Sequence, residues 1–116
     1  IPSTTDYNGL YNGYYSDFEA KETIRKTSFA LNNIHPHQIE HLKSIVRHGG
    51  IGFILVYFTK LDKIYLLEAD KLCSFIEKNE RKSIPIEYFK EFGYLIKPKF
   101  NPRIDYLNII DQIYGG

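Results

Sequence analysis

The apolar positions of this chain change period several times, and each change marks an element. Phe18 and Ala20 alternate with Glu19 and Lys21, the period-2 pattern of a strand that presents two apolar side chains to one side and two charges to the other. Upstream, Thr4 to Leu10 reads as the antiparallel partner strand, joined through a turn at Tyr11-Asn12-Gly13, with Gly9 and Gly13 easing the tight backbone. Arg25 to Asn33, rich in Lys, Thr, Ser and Asn, reads as a loop. Pro36 then opens a helical period through Ile39, Leu42, Ile45 and Val46, stopped by Gly49-Gly50.

The next run, Ile51 to Phe58, is almost continuously apolar and predicts an interior strand covered on both faces. Lys60 to Lys63 turns the chain into a neighbouring strand, Ile64 to Glu68. Leu72, Phe75 and Ile76 recur at helical spacing within Ala69 to Glu80, and Pro85 to Phe92 suggests a short helix. Lys97 to Pro102 reads as a loop and Asp105 to Tyr114 as a C-terminal helix. These elements add up to an α/β domain, a central mixed sheet with flanking helices.

Composition narrows this picture only a little. The 116 residues suit one domain, and 43% hydrophobic with 16% aromatic residues is globular rather than disordered. A lone cysteine, Cys73, excludes an internal disulfide framework, fits a reducing cytoplasm, and falls in an apolar helical pattern as a buried structural thiol. No apolar run is long enough for a membrane span, so the expectation is a cytoplasmic protein without membrane association. A net charge of +1 is a weak argument for nucleic acid, and none of the ten tyrosines is assigned to base stacking.

The candidate chemistry lies in the first hairpin. Asp6, thirteen residues before Glu19, and the triplet Glu19-Ala20-Lys21 put two carboxylates and one ammonium on paired strands. Residues facing each other across an antiparallel pair lie roughly 5 Å apart, so two such acids can share one metal ion. Mg2+ suits them because it prefers oxygen and keeps several waters, with Mn2+ as an alternative ion. Lys21 would orient a water and stabilise charge growing on phosphate oxygens, and the Ala20 carbonyl is a further candidate ligand. The bland alternative is a solvated sheet face bearing ordinary charges.

Other polar residues stand around this pattern. Gln38 lies off the apolar stripe of its helix and so faces either the carboxylates or water. Arg25 and Lys26, with Thr27 and Ser28, follow the strand as candidate DNA-phosphate contacts or as a plain charged loop. Asp17 is either an acid supporting the site or a surface residue. His35, His37, His41 and His48 lack the additional donors a zinc site needs and are read as exposed.

The segments Ser3 to Gly9, Asp17 to Thr23, Lys26 to Phe29, Asn33 to His35 and His37 to His41 closely resemble the RecU family of bacterial Holliday junction resolvases. The likeness continues through Leu67 to Leu72, Arg81 to Ile84 and Pro102 to Tyr106, and so covers essentially the whole chain. It implies a restriction-endonuclease-like fold and a homodimer that makes paired nicks in four-way junction DNA during recombination, repair and chromosome segregation. It also implies an active site in which Asp6, Glu19 and Gln38 surround the metal, Lys21 assists, and Thr4 and Thr5 flank the first acid.

The family's chain is longer, with an N-terminal helical region carrying an additional active-site acid and a protruding basic stalk that enters the junction, all before the position of Ile1. The sequence also has no methionine, so residues 1–116 are expected to be a nuclease domain from the C-terminal portion of a larger polypeptide. Two alternatives remain open. One is a related nuclease acting on other DNA. The other is a noncatalytic module that bridges DNA or modulates a strand-exchange recombinase.

Overall fold

The structure, a computed structural model, describes the backbone of residues 7–11 and 14–96 and the side chains of 16–96. Thr4, Thr5 and Asp6, the expected turn residues Asn12 and Gly13, and the expected loop and helix beyond Ile96 lie outside the described residues. In chain order the elements are β1 (Tyr7–Tyr11), β2 (Tyr14–Thr23), β3 (Ser28–Ala30), a 3-10 turn (Leu31–Asn33), α1 (Pro36–Arg47), β4 (Ile51–Phe58) and β5 (Lys63–Glu68). They continue with α2 (Ala69–Lys78), β6 (Ser83–Pro85), α3 (Ile86–Phe92) and β7 (Tyr94–Ile96).

The main sheet has the order β1-β2-β4-β5-β7. The expected hairpin is present as the antiparallel β1–β2 ladder, with Tyr7 opposite Phe18 and Tyr11 opposite Tyr14. β2 and β4 are parallel, Glu19 lying beside Ile54 and Lys21 beside Val56. Parallel neighbours need a crossover, and α1 provides it. β4–β5 and β5–β7 are antiparallel, so the sheet is mixed as the sequence pattern predicts.

Strand β4 divides the core. Ile54, Val56 and Phe58 pack on one face with Leu42, Leu72, Phe75 and Phe89 from the three helices. Phe53 and Leu55 pack on the other with Phe18, Ile64, Leu66 and Ile96. Both faces of β4 are therefore buried, which is why its sequence lacks polar alternation. Phe18 and Phe53 stack at 4.9 Å between centroids and fasten β2 to β4 on the face opposite the acids.

The ends of α1 explain its position over the sheet. At its C-terminus Gly49 has φ +86°, its N–H donates to Val46 O, and Gly50 N–H donates to Ile45 O. This paired closure needs the left-handed conformation that glycine tolerates best. Two residues later, a Cβ on Gly52 would lie 3.2 Å from Leu42 O and 3.3 Å from Val46 Cγ2. The absent side chain lets α1 lie directly on β4.

Four expectations need correction. Residues 25–33 are not simply a loop: β3 pairs antiparallel with β6, sending Phe29 and Ile84 into the core and leaving Ser28, Ala30, Ser83 and Pro85 partly exposed. Three-residue strands carry too few alternations to announce themselves. The apolar stripe of α1 is only partly covered, since Leu42 is fully buried but Ile39 and Ile45 are half-buried and Val46 is exposed. α2 stops at Lys78 because Asn79 turns out and both its backbone N–H and its side-chain amide donate to Phe75 O. The short third helix starts at Ile86, and Pro85 instead ends β6.

Cys73 is buried and free as expected, and burial pushes its thiol pKa up, away from the nucleophilic form.

Candidate active site

The charged face of β2 is the face toward α1. In register, Asp17 lies beside Gly52 and Glu19 beside Ile54, whose side chain belongs to the core under the helices. Asp17 and Glu19 have no exposed surface. The expectation of a wet edge is therefore overturned: α1 roofs the acids because Gly52 allows it so close.

A buried carboxylate is costly unless dipoles or charges compensate it. Gln38 Nε2 donates to Glu19 Oε1 at 3.0 Å, and Gln38 is itself buried. The amide's orientation is set from its other end, where Gln38 Oε1 accepts the His35 backbone N–H at 3.0 Å. This is one half of a capping box at the start of α1, so the sequence signal of a glutamine three residues into a helix does two jobs. Gln38 thus presents its nitrogen, and not its oxygen, to Glu19.

Lys21 lies on the same face two residues along, with Nζ 3.8 Å from Glu19 Oε2 and a side chain 19% exposed. At that distance the attraction is coulombic rather than a short charge-assisted hydrogen bond. The lysine bridges the buried carboxylate and the solvent. Such an ammonium can stabilise negative charge arriving on a phosphate from outside.

Next to this pair is a second one. His41 Nε2 lies 2.9 Å from Asp17 Oδ2, the histidine being partly exposed and the aspartate buried. The reading of His41 as an exposed residue is corrected, and Asp17 is not a surface acid. The alternation that marks Glu19 also marks Asp17, and Gln38 and His41 stand three apart on one helix face. Those two spacings together could have revealed the pair, had the packing of α1 on β2 been known.

Arg25 and Lys26 are exposed beyond the end of β2. Arg25 Nη1 donates to Ser83 Oγ at 3.1 Å and lies 3.5 Å from Ser28 Oγ, so the guanidinium lies along the β3–β6 ribbon. The structure brings together Glu19, Lys21 and Gln38, and places Arg25 and Lys26 farther along the same chain segment. Among the described residues no group of three or more His, Cys, Asp or Glu is gathered for a metal ion.

A mixed sheet flanked by helices, with a Glu-x-Lys strand beneath a helix-borne glutamine, defines a restriction-endonuclease-like domain. The sequence model described as Recombination protein U, RecU, matches residues 1–112, and the chain belongs to that family. It is 51% identical over 116 residues to a Holliday junction resolvase RecU of Bacillus cereus (strain B4264), covering 97% of this chain and 58% of that protein. It is 50% identical over 115 residues to the protein of the same name from Geobacillus sp. (strain WCH70), with 97% and 57% covered. The chain thus spans less than two thirds of the length of these curated relatives.

Proposed function

We propose that residues 1–116 form the nuclease domain of a Holliday junction resolvase, a Mg2+-dependent endodeoxyribonuclease that makes paired nicks in four-way DNA junctions during recombination, repair and chromosome segregation. The observation that carries this reading is the fully buried Glu19 held by Gln38 with the Lys21 ammonium 3.8 Å away, in a member of the RecU family. A solvated sheet face would have no use for a carboxylate buried in this way.

Glu19 supplies a hard oxygen donor, and the described site contains no thiolate, which suits Mg2+ or Mn2+. Asp6 directly precedes Tyr7, the residue opposite Phe18, and we assign it with Glu19 as the carboxylates that hold the ion. When bound, that ion would activate a water and neutralise charge on the phosphate. Gln38 holds Glu19 in orientation, and its oxygen is already engaged by His35, so we give it a holding role before a ligating one. Lys21 orients the attacking water and stabilises the charge that develops on the phosphoryl oxygens. Thr4, Arg25 and Lys26 are assigned to support of the DNA phosphates.

Paired nicks require two active sites on one junction, and we therefore propose a homodimer. No helix among the described residues is long and apolar enough to cross a membrane, and a protein acting on chromosomal DNA belongs in the cytoplasm.

The test is Mg2+-dependent cleavage of a labelled four-way junction beside a matched linear duplex, using the full-length polypeptide and its Glu19→Gln variant. The expected result is paired nicks in the junction, reduced at least about a hundredfold in the variant while junction binding and folding persist. Junction binding without cleavage by the unmodified protein would overturn the enzymatic reading. Equal cutting of duplex would redirect it to a nuclease of other specificity.

A further inference from the structure

Helix α1 rests on β2 and β4 with an incomplete apolar anchor. Leu42 alone of its stripe is fully buried, Ile39 and Ile45 are half-buried, and Val46 is 40% exposed. Apolar packing of that kind, with the close approach at Gly52, sets how near α1 lies to β4 but restrains its roll about its own axis less, because it is not directional. Yet the proposed reaction needs Gln38 placed on Glu19 to within a few tenths of an ångström, since hydrogen bonds weaken steeply with misalignment. Something directional has to set the helix.

Among the described residues, polar contacts at Gln38 and His41 join α1 to β2. Gln38 Nε2 meets Glu19 Oε1 at 3.0 Å, and His41 Nε2 meets Asp17 Oδ2 at 2.9 Å. The helix positions are three apart and the strand positions two apart, so the contacts sit side by side, with the helix running opposite to the strand. One contact would leave the helix free to pivot about it. Two contacts, each with angular preference, fix both roll and translation.

We infer that His41 is a positioning residue: by hydrogen-bonding the buried Asp17 it locks α1 against β2 and thereby holds the Gln38 amide on Glu19. Its effect on cleavage is indirect, through Gln38, and the inference rests on the nuclease reading only for that last step. The relevant atom is Nε2, at the far end of the imidazole. A replacement serves only if it carries an N–H at the same remove from the backbone. Glutamine does so, because its amide nitrogen occupies a position close to that of Nε2. Asparagine mimics Nδ1 and falls short.

The experiment is 15N NMR of the Gln38 side-chain amide in the full-length protein and in His41→Ala, His41→Asn and His41→Gln, with junction cleavage measured on the same samples. The expected result is a Gln38 amide protected from exchange in the unmodified protein, exposed in the Ala and Asn variants, and protected again in the Gln variant. The kcat for cleavage should follow the same order, falling about ten- to a hundredfold in the Ala and Asn variants while KM for the junction stays within about twofold.

A Gln38 amide that stays protected in the Ala variant would overturn the inference, as would identical behaviour of Asn and Gln. Should His41→Ala fail to fold, the contrast between Asn and Gln decides the matter, since both keep a polar side chain at the site. If the unmodified protein does not cleave junctions but the Gln38 amide responds as described, the nuclease reading fails and the positioning role stands.

Discussion

Glu19, a carboxylate with no exposed surface, shows how a single residue's meaning depends on its neighbours. Alternation along β2 places it on the charged face with Lys21, but alternation cannot reveal whether that face meets water or protein. Gln38 answers the question by donating to one carboxylate oxygen while accepting the His35 backbone N–H. Replacing Gln38 with Ala removes both bonds and leaves a buried acceptor and a helix-end donor less satisfied. The expected cost is about 1–3 kcal/mol of stability, read by denaturant unfolding, and a loss of junction cleavage beyond what the unfolded fraction accounts for. Gln38→Glu should be worse than Gln38→Ala in cleavage, because it sets a second acid against Glu19.

Among the elements, α1 and β4 matter most to the site. Their approach depends on Gly52, where a Cβ would meet the Leu42 carbonyl at 3.2 Å and Val46 Cγ2 at 3.3 Å. Val46 is exposed and its side chain has room to give, but a backbone oxygen cannot step aside without moving the helix. Gly52→Ala already places a Cβ 3.2 Å from the Leu42 carbonyl and should push α1 outward by a few tenths of an ångström with a measurable loss, whereas Gly52→Val should displace it further and cost about 1–3 kcal/mol. Because Asp17 lies beside Gly52 in register, the valine variant should also loosen the His41 and Gln38 contacts. Circular dichroism would show the sheet and helices retained, while the cleavage assay would show activity falling more than stability.

At the scale of residues 1–116 taken together, charge is nearly balanced, with 15 Lys and Arg against 14 Asp and Glu. Within these residues, the proposed DNA binding would then rest on local placement of charge and not on a net field. Arg25 and Lys26 leave the end of β2, and the β3–β6 ribbon steadies Arg25 through Ser83. If both cations meet phosphates, the double Arg25→Ala, Lys26→Ala variant should bind junctions more weakly and show a shallower salt dependence. The plot of log affinity against log salt should lose up to about 2 in slope, roughly 0.9 for each contact removed. An unchanged slope would remove these residues from the DNA interface and leave Arg25 with its structural role.

Strong local periodicity was readable directly: the β1–β2 hairpin, the interior strand β4, its neighbour β5 and the helices α1 and α2 follow from runs long enough to show their pattern, while the short α3 was only suggested. The short strands β3, β6 and β7 were not readable, since three residues show no period and exist only because a distant partner supplies their hydrogen bonds. The Glu19 and Lys21 pair was likewise legible, because strand alternation is a local property of the backbone. Burial of Glu19 was decided by tertiary packing alone: Gly52, more than thirty residues further along the chain, lets α1 descend onto the acids. The same descent turns His41 from a surface histidine into the partner of Asp17. Sequence by itself determined which residues share a face, and the fold decided what each face meets, because contacts between elements depend on distances that no local pattern encodes.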